Sequence, residues 1–291
     1  MRKEREKMTA GLAGWYVIKG IAYVSMAFFA LTYVFCLLWI VLNSFKTAPN
    51  YMEDSFGLPK LFDFQNYVQV FTNLNYKGHS VLGMIGNSVI LILWNWFITL
   101  TQPHLAAYVL GRFNFKGRAF IEKLCWILTV VPMIGTGGAT MWLINALGLF
   151  DNFAGVFLIS SFGGLGLSTI MYMNLYRGIP VSYAEAAYLD GASEWVVFTR
   201  LYYPQALPVT FIFMIQTFIN VWGDFMTSYL YLPSHPTFAL GLQQMQAQFV
   251  DFGNDYPVMF AALVVSLIPV LAVYLKFYPQ ITSNMALGAL K

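Results

Sequence analysis

The sequence is poor in charge. Only 10% of its 291 residues are Asp, Glu, Lys or Arg, against about 25% in soluble domains, and 58% are hydrophobic, so a soluble surface is excluded. The chain reads as a polytopic membrane protein. It has two cysteines, Cys36 and Cys125, each inside an apolar segment, which argues against a disulfide framework and offers no spaced metal-ligand set. They read as lipid- or core-facing filler. Its three histidines, His79, His104 and His235, fall in different segments without ligand spacing, and they read as hydrogen-bonding bystanders rather than metal or catalytic groups. There is no Gly-x-x-x-x-Gly-Lys-Ser/Thr run, so this chain is not itself an ATPase, and no serine or cysteine sits in a recognisable nucleophile motif. A membrane-embedded enzyme would have to assemble its site from scattered residues, and a metal or cofactor in this chain is not expected. The net charge of +3 comes from basic residues near the membrane surface, not from a patch interleaved with aromatics, so nucleic acid is not an expected partner.

Long apolar runs are abundant. Six are long enough to cross about 30 Å of hydrocarbon, at 21–42, 86–110, 124–147, 153–176, 206–232 and 258–277, which predicts an all-α integral membrane protein forming one transmembrane domain over 1–291. The first run is too long for a signal-peptide core and has no small-residue cleavage site, so it is expected to be retained. Six spans put both termini on one side. With the termini cytoplasmic, thirteen Lys and Arg residues lie inside and only Lys46, Lys60 and Lys77 outside, which sets the orientation. The basic turn from Gly111 to Arg118 then lies at the cytoplasmic lipid phosphates. Prolines and glycines interrupt several spans: Pro103 in the second, Pro132, Gly135, Gly137 and Gly138 in the third, Gly163, Gly164 and Gly166 in the fourth, and Pro269 in the sixth. Freed backbone groups need neighbours or a water-filled path, so these helices are expected to be bundled, either as close-packed small residues or as parts of a gate.

The longest outer segment, 43–82, contains Pro49, Gly57 and Pro59 and is expected to be an ordered loop with a short amphipathic helix near 66–71; as a plain spacer it would carry no function. The polar run 182–208 has its own helix punctuation. Pro180 bars a helix from running through, and Ser182 with Glu185 has capping-box spacing, which predicts a helix starting at Ser182. Gly191 would end it in the left-handed region, and Ser193 would cap a second helix running to Tyr203, where Pro204 interrupts. Ala184, Ala187 and Tyr188 share one side of the first helix, a face shaped to dock against something.

The residues Glu185-Ala186-Ala187, Asp190-Gly191-Ala192, Phe198 and Pro208 resemble the signature loop of permease subunits of binding-protein-dependent ABC importers, and the chain is most similar to the smaller permease of the maltose-type carbohydrate importers. That resemblance implies a cytoplasmic coupling helix in which Glu185, Ala186, Ala187, Tyr188, Asp190 and Gly191 meet the ATPase. It also implies a second homologous permease, ATP-binding subunits that hold ATP and Mg, an extracytoplasmic solute-binding protein, and a di- or oligosaccharide as solute. The 43–82 segment resembles the family's extracytoplasmic Asn-Tyr segment through Asn66-Tyr67, and the tail Asn284–Lys291 resembles the family's tail but is preceded by Pro279-Gln280. The alternative reading of 182–208 is an interfacial helix pair that merely joins two spans.

Asp224 lies within the fifth apolar run, where a carboxylate at mid-bilayer costs about 2.5–3.5 kcal/mol on insertion scales. It should face protein or water. With Asn220 and Trp222 it is a candidate for the translocation path, since aromatic rings stack on sugars; a structural role for the acid is the other reading. The 52 Phe, Trp and Tyr residues make any single aromatic a poor pointer. A secondary carrier or ion channel using Asp224 would need no ATPase, and co-purification with an ATP-hydrolysing partner separates the two classes.

Overall fold

A computed structural model describes residues 2–131, 135–163, 165–247 and 255–288, and among these the protein is almost entirely helical. Its contacts group it into two compact units, Met1–Val70 with Val250–Val264 and Phe71–Phe249 with Val265–Lys291. In the first unit α1 (Arg2–Asn43) opens on a charged turn, and from Trp15 to Leu38 it is predominantly apolar and exposed, as a helix facing lipid or a partner must be. The loop that follows is ordered by its own polar groups. The short α2 (Ala48–Glu53) is capped by Thr47, and α3 (Gln65–Asn73) falls where the amphipathic pattern predicts a helix. Asn66 is buried and donates through Nδ2 to the carbonyls of Ser44 and Lys46 at 2.8 Å each, while Tyr67 shares a 2.6 Å bond with Ser44 Oγ. Lys46 is fully buried with its Nζ on the carbonyl of Asp54 at 2.7 Å, so this lysine is part of the loop's framework. Trp39 donates to Ser55 O at 2.9 Å and packs edge-on against Phe260.

The second unit opens with a two-residue antiparallel pair, β1 (Asn75–Tyr76) and β2 (His79–Ser80), and is organised on α4 (Val81–Arg112). Around α4 stand α7 (Phe153–Phe162), α8 (Leu167–Gly178), α11 (Tyr203–Gly223) and α13 (Phe238–Ala247), and α5 (Arg118–Val130) packs on α8. Tryptophans bind these helices through their indole N–H groups: Trp94 donates to Phe157 O at 3.1 Å and Trp96 to Met214 O at 3.0 Å. His104 lies fully buried in the α4–α8–α11 seam, within 2.8 Å of Tyr176 Oη and 3.0 Å of Thr210 Oγ1, and stacks on Tyr172. A short α6 (Thr136–Ala146), α12 (Met226–Tyr231) and the long α14 (Tyr256–Gly288) complete the described helices, with α9 and α10 treated below.

Four described helical stretches are long and apolar enough to cross a membrane, Trp15–Asn43, Val81–Arg112, Glu194–Gly223 and Tyr256–Pro279. The pair α7 and α8, bent by 48° between Phe162 and Leu167 where the glycines are expected to interrupt, makes a fifth if the two are one broken span rather than a re-entrant loop. Gly164 and Pro132 lie outside the described residues. The run 124–147 is two helices, α5 and α6, each too short to span alone, with Gly135 in the left-handed region at φ 76° before α6. Pro103 does not break α4, where neighbouring helices clamp the turn and one missing hydrogen bond is affordable, and Pro269 does not break α14. The expected 206–232 span starts earlier and ends at Gly223, where Asp224 leaves the helix at ψ 107°. The side chains of the tail Asn284–Lys291 lie outside the described residues.

Candidate functional site

The helix expected at Ser182 is α9 (Val181–Leu189), and it begins one residue earlier with Pro180 at its N-cap. The proline's fixed φ of −56° suits the entry to a helix, so the chain turns directly after it and Ser182 falls inside the first turn. No side-chain cap forms, and the Ser182–Glu185 box is not made. Glu185 is exposed, as are Ala186 and Asp190. The helix ends as expected: Gly191 has φ 79°, with Ala192 N on Ala187 O at 2.9 Å and Gly191 N on Tyr188 O at 3.0 Å, the paired bonds of a Schellman termination.

The alanines of the face carrying Ala184, Ala187 and Tyr188 dock on the chain itself, while Tyr188 stays exposed. Ala184 is buried in a cluster with Tyr176, Ile179, Val197, Phe198 and Tyr202, and Ala187 and Ala192 pack against that cluster. The small residues bring α9 close to its own bundle. Tyr188 donates to Glu194 Oε2 at 2.5 Å, and burial followed by this bond to Glu194 raises the phenol's pKa. What α9 turns outward is Val181, Glu185, Ala186 and Leu189, the last 90% exposed, with Trp195 exposed just beyond the turn.

After Ser193, which makes no side-chain cap, α10 (Glu194–Val197) leads through a π turn at Phe198–Tyr202 into α11, so one helix runs from Glu194 to Gly223. Pro204 does not interrupt it. The Tyr203 amide reaches back to Phe198 O, and this wider turn takes up the register change next to a proline that lacks its own donor.

Near the end of that helix, Asp224 Oδ1 accepts from Met226 N at 2.8 Å and Thr227 N at 3.2 Å, and Oδ2 accepts from the Thr227 hydroxyl, so the carboxylate holds the first turn of α12. It also lines a cavity of about 190 Å³ with Asn95, Ser160, Thr227 and Tyr231. A second cavity of about 180 Å³ shares Asn95 and Ser160 and adds Thr99, Ser168 and Thr217. Neither lining contains Lys, Arg or His. Trp222 lines neither: it is buried, stacked on Phe218, with its Nε1 on Ser266 O at 2.9 Å, and Asn220 is exposed on α11 without contributing to either lining. Of the three path candidates only Asp224 lines either of these two cavities. Asn95, Thr99, Ser160 and Thr217 were not singled out from sequence, although each is a polar residue inside an apolar run, which is the signal that would have found them. No cluster of three or more potential metal ligands occurs among the described residues.

Comparison with known proteins agrees with this architecture. The chain is 27% identical over 280 residues to the probable ABC transporter permease protein YurM of Bacillus subtilis, covering 95% of this chain and 90% of that one. It is 25% identical to the diacetylchitobiose uptake system permease protein NgcG of Streptomyces coelicolor (93% and 88% covered) and 27% identical to the trehalose/maltose transport system permease protein MalG of Thermococcus litoralis (90% and 93%). The fold superimposes with a TM-score of 0.73, at 20% identity and covering 90% of this chain and 96% of the other, on a chain of a crystallised bacterial ABC transporter involved in the import of the acidic polysaccharide alginate. The family described as binding-protein-dependent transport system inner membrane component matches residues 104–283, more than half of the sequence and including α9, and the chain belongs to that family.

Proposed function

We propose that the protein is a multi-pass permease subunit of an ATP-driven importer of neutral di- or oligosaccharides. It pairs with a second homologous permease, two ATPase subunits that bind ATP and Mg, and an extracytoplasmic solute-binding protein. Six crossings are formed by α1, α4, α5 with α6, α7 with α8, the Glu194–Gly223 helix and α14, leaving both termini and α9 in the cytoplasm. The observation that carries the reading is α9 itself: a short terminated helix, seated by its alanine face on the bundle, with Glu185, Ala186 and Leu189 turned outward and Asp190 beside them. ATP binding closes the nucleotide-binding dimer, α9 moves with it, and the paired permeases rock between outward and inward openings as rigid bodies.

The sugar assignment rests on two observations. Relatives named for diacetylchitobiose and for trehalose/maltose align along nearly the whole chain. The two cavities are lined by hydroxyls, one amide and one carboxylate without a cation, which suits the hydroxyls of a neutral sugar and disfavours an acidic one. Asp224, with Asn95 and Ser160, is the path-lining group of this chain.

Two measurements test the proposal. Affinity purification of the chain from its native membrane should bring down an ATP-hydrolysing subunit; a chain that purifies without one and still carries solute or ions would be a carrier or channel instead. The cognate solute-binding protein, screened against mono-, di- and oligosaccharides including uronic acids, should prefer neutral di- or oligosaccharides. Preference for uronates would overturn the neutral assignment.

A further inference from the structure

Glu194 takes no part in the motif that marks the coupling loop, yet its two carboxylate oxygens are engaged by hydroxyls from two separate elements. Tyr188 of α9 donates to Oε2, and Tyr108 of α4 donates to Oε1. Glu194 itself opens the helix that runs to Gly223, a position where the helix dipole favours a negative charge. One carboxylate therefore joins the proposed coupling helix, the second span and the start of the fifth.

The Tyr108 end of this link is set rigidly. Its ring lies against Phe198 at 4.9 Å and Tyr202 at 5.1 Å between centroids, with Phe113 and Tyr176 edge-on, and Arg112 one turn on sits over the Tyr202 ring at 5.0 Å. A phenol wedged in this way cannot follow a moving partner by rotating; its hydroxyl moves only with α4. The other described attachment of α9 is the packing of Ala184 and Ala187, which keeps the helix close but is non-directional and permits sliding. Hydrogen bonds to a charged acceptor are directional and roughly twice as strong as neutral ones.

We infer that Glu194 is a positioning residue that ties Tyr188 of the coupling helix to Tyr108 of the second span, so that a displacement imposed on α9 is delivered to α4 as well as to the helix continuous with Glu194. Without the link, α9 still docks but slides under load, and ATP is hydrolysed with less transport. The inference rests on α9 being the ATPase contact, and its test separates the two.

The complete importer, with its ATPase and binding protein, is reconstituted in liposomes, and sugar uptake per ATP hydrolysed is measured for Tyr108→Phe, Tyr188→Phe, the double variant and Glu194→Gln. Each tyrosine change removes one hydroxyl and leaves the ring. Loss of one hydrogen bond to a charged group corresponds to about a tenfold change in an equilibrium, so uptake per ATP should fall by up to about tenfold in either single variant. The double variant should be no worse than the worse single, because the link is already open. Glu194→Gln should retain part of the coupling, since the amide oxygen still accepts from one phenol and its NH₂ donates to the other. The thermal midpoint of the complex should stay near that of wild type. Wild-type uptake per ATP in Tyr108→Phe would overturn the tether and leave the coupling helix standing; so would losses that add in the double variant and track a falling midpoint, which would mark mere structural support. A wild-type complex with no ATP-driven uptake would overturn the coupling role and the tether together.

Discussion

Asp224→Asn separates two roles that the structure combines in one side chain. The carboxylate holds the first turn of α12 through Met226 N, Thr227 N and the Thr227 hydroxyl, and it borders the polar cavity. Asparagine keeps one carbonyl oxygen, which is enough for both backbone bonds on Oδ1, and its NH₂ can face the Thr227 hydroxyl if that hydroxyl turns to accept. Asn and Asp cap helices about equally well, whereas Ala at such a position costs about 1 kcal/mol, within a range of 0.5–2. The Asp224→Asn complex should therefore unfold within about 0.5 kcal/mol of wild type, and Asp224→Ala about 1–2 kcal/mol below it.

Transport should behave differently. At the cavity wall the same change replaces an acceptor by a mixed donor and acceptor, so Asp224→Asn should alter uptake rate or sugar preference while the fold persists. Denaturation of the purified complex beside uptake per folded complex decides it. If Asn destabilises as much as Ala, the assigned backbone bonds are wrong. If Asn leaves uptake and preference untouched while Ala destabilises, Asp224 is a helix-holding residue only.

At Gly191 an added Cβ meets open space, so the cost is that of the backbone at φ 79°: Ala should lose about 1 kcal/mol and Val more, read as thermal stability and assembly, with equal effects refuting the turn. Glu185→Lys should leave stability unchanged, because Glu185 makes no cap, and abolish binding-protein-stimulated ATP hydrolysis and uptake; normal uptake would remove the outward face of α9 from the ATPase contact. Glu122 accepts a two-point ion pair from Arg177, at 3.0 and 2.7 Å, which holds its carboxyl below the usual range. A folded pKa lowered in this way stabilises at pH above the ordinary carboxylate value and loses that contribution as pH falls through the lowered one. In Arg177→Gln the thermal midpoint at neutral pH should therefore fall, and its acid limb should flatten until the two proteins converge below the lowered pKa; parallel acid limbs would refute the pair's contribution.

Much of the fold follows from features local to the sequence. Apolar runs place α1, α4, the α7–α8 pair and α14, and a glycine that tolerates positive φ ends α9. Proline was the weaker guide, because its effect depends on what surrounds it. Pro103 stays within α4 because α8 and α11 clamp that helix on either side, and Pro204 is accommodated by the π turn before it. Pro180 does separate two helices, α8 ending at Gly178 and α9 beginning at Val181, and it serves as the entry to the second. The Ser-x-x-Glu spacing is identical whether Ser182 stands at the N-cap or two residues inside, so spacing alone could not tell the two apart.

The site was less legible, because its relations join residues far apart in the chain. Residues at i, i+3 and i+4 define a face of α9, but periodicity says nothing about what that face meets; alanines that would fit an ATPase cleft fit the chain's own bundle equally well. Burial of Ala184 against Val197, Phe198 and Tyr202 shows that this alanine meets the bundle, and it leaves Glu185, Ala186, Tyr188 and Leu189 exposed. Glu194 read locally is an acid at a helix start, and its partner Tyr108 stands 86 residues earlier. The cavities follow the same logic: Asn95 and Thr99 on α4, Ser160 on α7 and Thr217 on α11 are scattered polar residues until three helices pack and set them around shared space. A permease that lined its path with one polar segment would advertise it in sequence, but such a segment would also face lipid on its other side. Spreading single hydroxyls and amides over several apolar helices lets each helix enter the membrane at low cost, and the polar surface exists only after assembly.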